Sequence, residues 1–165
     1  PAEIEAVPGL LARIETLRRS VAIAFAAAED MSAAAVVSLP RIAFVSAPAD
    51  FTALSDQRIE AGASDIMIRM IGRGIPHRSV PVTTALCLAT ACRIPGTIPA
   101  GLLRPAAANA VVIRVAHPSG VWGTMASVKQ TSVGWHAGSA GISMTARRLF
   151  AGQVMVPAEL VKGLE

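Results

Sequence analysis

The sequence predicts an α+β domain in which a curled, mixed β-sheet wraps one central apolar helix and a second helix lies outside. Three observations carry this reading. Residues 83–92 have helical length and are apolar on every side (Ala85, Leu86, Cys87, Leu88, Ala89, Ala91), so their surroundings must be apolar too. Short β-rich runs flank that segment on both sides, and an amphipathic helical pattern precedes them all. The 165 residues suit one domain, 1–165, with no internal repeat, low-complexity tract or boundary.

In chain order, Pro8 sits where a first-turn proline belongs, and Leu10, Ile14, Leu17 and Val21 recur at helical spacing, with Arg13, Arg18 and Arg19 elsewhere round the helix. The run Ala22 to Ala28 either continues that helix or forms a buried strand. Pro40 introduces Arg41 to Ser46, a short strand bounded by Pro48. Asp65 to Ile71 is a second strand, ended by Gly72-Arg-Gly74. The central helix covers Thr83 to Cys92 and stops at Pro95-Gly96. The remainder reads as β. Ala110 to Ala116 is a nearly continuous apolar strand, and polar Thr124 to Val133 is its hairpin partner or an edge. Ser139 to Ala146 alternates, with Ile142, Met144 and Ala146 on one face. Val154 to Val156 is a last short strand.

Composition narrows the function. No apolar run reaches the ~18 residues of a membrane helix, because Glu29, Asp30, Pro40, Arg69 and Arg93 interrupt every candidate. The start, Pro1-Ala-Glu-Ile-Glu, has no basic segment of the signal-peptide kind, so a soluble, cytoplasmic protein with no membrane partner is expected. Apolar residues make up 53 % and charged residues 16 %, more apolar surface than a small domain comfortably hides, so part of it is expected at an interface. Cys87 and Cys92 lie about 140° apart on a helix, and neither pair nor chelate. Cys87 reads as a core residue. His77, His117 and His136 have no metal-ligand spacing, so no metal is expected. Only Lys129 and Lys162 among the 15 basic residues are lysine. That favours forked contacts with carboxylates or phosphates over a diffuse lysine-rich field. Nucleic acid is a weak partner class, because the chain has no Tyr and few aromatics for base stacking.

Candidate chemistry gathers at the start of the central helix. Thr83 and Thr84 can cap it or donate hydroxyls, first-turn amides at Ala85 and Leu86 are expected to point outward, and His77 and Arg78 precede it in the same loop. A carboxylate fits such a place. The plain alternative is that Thr83 is only an N-cap and His77 a satisfied loop histidine. His117-Pro-Ser-Gly120 follows a strand directly, so the Ser119 hydroxyl and Gly120 amide can face a ligand, though turn chemistry explains them as well. Together the two would cradle a polycarboxylate, with Arg69, Arg73, Arg78, Arg147 and Arg148 as complementary charge. Taken singly, each of those arginines reads as a solvated surface group.

The ordered series Pro40-Arg-Ile-Ala-Phe-Val45, Ile68-Arg-Met70, Pro76-His-Arg78, Arg93-Ile-Pro-Gly-Thr97, His117-Pro-Ser-Gly120 and Thr145-Ala-Arg-Arg-Leu149 resembles the 2-methylaconitate cis-trans isomerase (PrpF-type) family across nearly the whole chain. The resemblance implies a diaminopimelate-epimerase-like fold of two similar domains with substrate between two helix starts. This chain matches the carboxy-terminal half only. It further implies an isomerase that needs no cofactor and moves a double bond by proton transfer in an unsaturated di- or tricarboxylic acid. The general base would belong to the other half, and the partner is either that missing amino-terminal half or a second copy in a homodimer. Carried over as substrate contacts are Pro76, His77, Arg78, Thr83, Ser119 and Gly120, with Thr84 beside them at the helix start. The chain departs from the family pattern at Ile75, where a lysine is usual, and at Thr84, where a glycine is usual. Those departures motivate the alternative of a non-catalytic, self-associating remnant.

Overall fold

The computed structural model of the protein describes residues 1–157. The elements are α1 (Ala2–Glu5), α2 (Leu10–Ala24), α3 (Met31–Val36), β1 (Ile42–Ser46), β2 (Phe51–Thr52), β3 (Arg58–Ile59), β4 (Ile66–Gly72), β5 (Ile75–Pro76), α4 (Val82–Ala91), α5 (Ile98–Leu102), β6 (Ile113–His117), β7 (Gly120–Thr131) and β8 (Gly134–Ile142). The main sheet runs β1-β4-β6-β7-β8, with β5 hydrogen-bonded to β4, and β2 and β3 form a small separate hairpin. Among the described residues only β4 and β6 are parallel, with Ile66 opposite Val115. Parallel neighbours need a long crossover, and α4 lies in it.

β4 positions everything else. Its Ile66, Met67, Ile68, Met70 and Ile71 are all buried, as expected of a central strand covered on both faces. Ile66 and Ile68 join Ile113, Val115, Ala85 and Leu88 in the core between sheet and α4. Side chains alternate along a strand, so Met67 and Arg69 face the other way, where Met67 Sδ accepts the Ala49 amide and Arg69 lies under the Phe51 ring. α2 packs on α3 rather than into the barrel, so a helix does lie outside.

Several boundaries differ from expectation for identifiable reasons. α2 begins after Gly9, whose φ of +71° places Pro8 just ahead of the helix. The 22–28 run continues α2 only to Ala24. Ala26 then takes a left-handed turn and its amide returns to the Ile23 carbonyl. The strand expected at Ala110 starts only at Ile113, and Val111 is exposed. The alternating segment at 139–146 is strand only to Ile142. After the Ser143 amide bonds the Gly123 carbonyl the chain leaves the sheet, so Met144 and Ala146 pair with nothing regular. Val154 to Val156 is not a strand, because β-rich residues still need a neighbouring edge to pair with.

α4 is the central helix of the curled sheet, but apolar surroundings, expected on every side, bury only the face of Ala85, Leu88 and Ala89. Val82 and Cys87 are exposed, so Cys87 is not the core residue its type suggests, while Cys92 is buried. A half-barrel wraps half of its helix.

Candidate functional site

Two connections meet at one end of the sheet. β4 turns through Gly72 to Gly74 into β5, and just past β5 the His77 amide donates to the Met70 carbonyl at 2.8 Å. β6 turns through His117 to Gly120 into β7. Ser119 Oγ donates to the Arg78 carbonyl at 2.5 Å, which ties the turn to the loop leading into α4. Gly120 has φ +138°, a backbone state that side-chain-bearing residues rarely adopt.

Thr83 is exposed and Thr84 half-buried, so the helix start is open to solvent. Thr83 is not the N-cap. That position is Pro81, and it makes no side-chain capping bond. The Ala85 amide donates to the Pro81 carbonyl at 2.9 Å, so it does not point outward as expected. The first-turn amides left uncapped among the described residues are those of Val82, Thr83 and Thr84. A helix start with three free N–H groups and no acidic side chain carries partial positive charge.

His77 is half-buried with its ring against Gly72. A Cβ added to Gly72 would lie 2.3 Å from Nε2, so only glycine admits the ring there. Pro76 is buried in β5, and Arg78 is exposed beyond it. Arg73, Arg147 and Arg148 are exposed, as expected for solvated groups. Arg69 is not: it is half-buried, and burial pushes its pKa below the usual arginine range.

His117, a residue of the motif series, is given no site role of its own by the sequence. It is 2 % exposed, edge-on to Trp122 with ring centroids 4.9 Å apart. Its Nδ1 accepts the Ser119 amide at 3.2 Å, leaving Nε2 as the protonated nitrogen, and Nε2 has no partner among the described residues. Burial, and then the Arg69 charge, lower its pKa to about 4, so the ring is neutral and rigidly placed under the Ser119 turn. The signal was present: Ile113, Val115 and His117 share one face of β6. The motif Arg93-Ile-Pro-Gly-Thr97 is structural. Arg93 donates to the Ala107, Ala108 and Ala110 carbonyls, and Thr97 Oγ1 to the Ala91 carbonyl at the end of α4. Among the described residues no group of His, Cys, Asp or Glu is placed to hold a metal ion, and no helix is long and apolar enough to cross a membrane.

An α+β half-barrel around a helix that opens beside paired loops defines the class first: a domain with the diaminopimelate-epimerase-like fold. A family model described as "PrpF protein" matches residues 1–157, and the chain belongs to that family. It is 31 % identical over 148 residues to the 2-methyl-aconitate isomerase of Shewanella oneidensis, covering 89 % of this chain and 37 % of that protein. It is 33 % identical over 150 residues to the 3-methylitaconate isomerase of Eubacterium barkeri, covering 89 % and 38 %. A crystal structure of methylitaconate-delta-isomerase superposes with a TM-score of 0.71 at 27 % identity, covering 83 % of this chain and 36 % of that one. The chain thus spans little more than a third of the length of these relatives.

Proposed function

We propose that this chain is the substrate-holding part of a cytoplasmic, cofactor-independent isomerase that shifts a double bond in an unsaturated di- or tricarboxylic acid such as 2-methylaconitate. The observation that carries the reading is the Ser119–Arg78 bond, which sets the 117–120 turn against the loop entering the uncapped start of α4. The names printed for the relatives supply the reaction class.

In this reading a substrate carboxylate sits on the amides of Thr83 and Thr84, with their hydroxyls beside it. His77, Arg78, Ser119 and Gly120 contact the rest of the acid. Removing a proton from carbon builds negative charge on the adjoining carboxylate, and fixed donors there lower the barrier because they need no reorganisation. Ser119 spends its proton on the Arg78 carbonyl, so its oxygen accepts while its bond keeps the two loops in register. The base comes from a second half, either an amino-terminal domain or another copy, that covers the open face of α4 at Val82, Thr83 and Cys87.

The test follows solvent deuterium into a panel of aconitate-type acids, with this chain alone and with a supplied amino-terminal half. Exchange is expected only with both when the base lies on an amino-terminal domain, and with this chain alone when another copy supplies it. With the halves paired, a matching acid at 100-fold excess over its Kd should raise the melting temperature by roughly 5–10 °C. No exchange and no thermal shift with any acid would instead support a non-catalytic remnant, the reading favoured by Ile75, which stands 64 % exposed where the family usually has a cation.

A further inference from the structure

We propose that the groove on the outer face of β4 is a second carboxylate subsite built on Arg69, adjoining the loops at the start of α4, whose Arg78 and Pro118 also line it. The inference does not depend on the isomerase reading. The groove has a volume of about 670 Å³ and runs between α1, the β2 strand and the β5 loop, within the size range of small-molecule sites. Arg69 enters it from the face of β4 opposite the core.

Three observations point to an anion there. A guanidinium carries five N–H donors, and Nη1 of Arg69 reaches the Ile68 carbonyl at 2.8 Å and the Ala116 carbonyl at 3.5 Å. Nε and Nη2 bond nothing among the described residues. No carboxylate of those residues lies within 4.0 Å of Arg69, and Glu3 acts on it only from further off, whereas Arg18 and Arg19 pair with Glu15 and Arg104 with Asp65. Phe51 covers one face of the guanidinium with its ring centroid 4.9 Å away, which excludes water from that side and strengthens any charge pairing in the groove.

The surroundings narrow the ligand. Leu54, Ile75 and Pro118 give the groove apolar walls, and Glu3, Glu5, Asp50 and Arg78 line it beside Arg69. Asp50 is already held by Arg58 and the Ala61 amide. The two glutamates of α1 remain, and they disfavour a doubly charged phosphate more than a single carboxylate. A carboxylate with a short apolar body fits best, with Glu3 as the rim charge it must tolerate.

The test is an NMR titration of the full chain with butyrate, with neutral butyramide and inorganic phosphate as controls. Saturable shifts of the amides at 51–54 and 69 are expected with butyrate, absent with butyramide and weaker with phosphate. Arg69→Met should weaken binding by about tenfold or more. Glu3→Gln, at an exposed position, should tighten it roughly two- to fivefold. Shifts confined to 82–84 and 119–120 would overturn this site while favouring the substrate reading. Absent shifts, equal shifts with butyramide, or binding unchanged in a folded Arg69→Met would also overturn it. Should Arg69→Met fail to fold, unchanged affinity in Glu3→Gln overturns it alone.

Discussion

His117 links burial, charge and turn geometry in one side chain. Its folded pKa of about 4 lies below the ~6.5 of an unfolded histidine. Between those values the unfolded chain binds more protons, so stability falls as pH drops from about 6.5 toward 4 and is unaffected by this group above or below that window. The component is on the order of 2–3 kcal/mol. Urea unfolding at pH 7 and pH 4.5 should show a larger loss for the wild type than for His117→Asn, which keeps an acceptor for the Ser119 amide and removes the titrating ring. Equal losses would assign the proton uptake elsewhere. His117 was legible as a motif residue and as a member of an apolar strand face, but its unpartnered Nε2 was not, because that depends on Trp122 and Arg69 arriving from other elements. Cys87 shows the converse. Its type and neighbours suggest a core position, and only the extent of the sheet decides that it faces out.

Among the elements, α2 and α3 are joined by one buried cation. Arg18 is 3 % exposed and donates to the Ala34 carbonyl at 2.6 Å and the Val37 carbonyl at 3.0 Å, while Glu15 takes its other edge at 2.8 Å. The bond from Arg18 holds the Glu15 carboxyl down at about 2, against the cost of its own burial. Arg18→Met leaves those carbonyls unanswered and Glu15 with Arg19 alone, so it should cost about 2–4 kcal/mol in urea unfolding. It should also expose the 25–41 segment to protease, and an unchanged urea midpoint would show that the clamp is dispensable. The long elements β1, β4 and α4 were readable to within one or two residues, because hydrophobic period and flanking Pro or Gly mark them. α3 was missed although Asp30 caps it through the Ser32 and Ala33 amides at 2.8 Å. β2, β3 and β5 have two residues each, and pairing alone makes them strands.

At the scale of the whole molecule, the sheet wraps one side of α4 and leaves Cys87 on the other. A thiol reagent should label Cys87 promptly, and Cys92 only as fast as the chain opens, since burial both hides that thiol and pushes its pKa up to about 11. Pairing with an amino-terminal half should protect Cys87. Unchanged labelling in the paired assembly would place that half elsewhere. By itself the sequence determined the α+β class, the central apolar helix, the strands beside it and the motif series of the family, because those are local patterns of period and residue type. Only the tertiary structure decided that the 117–120 turn lies against the Arg78 loop, that α4 is half open and that Arg69 looks into a groove with no carboxylate of the described residues within 4.0 Å of it. Each of those is a meeting of groups far apart in the chain, fixed by how strands pair and how far the sheet curls, and no local pattern encodes it.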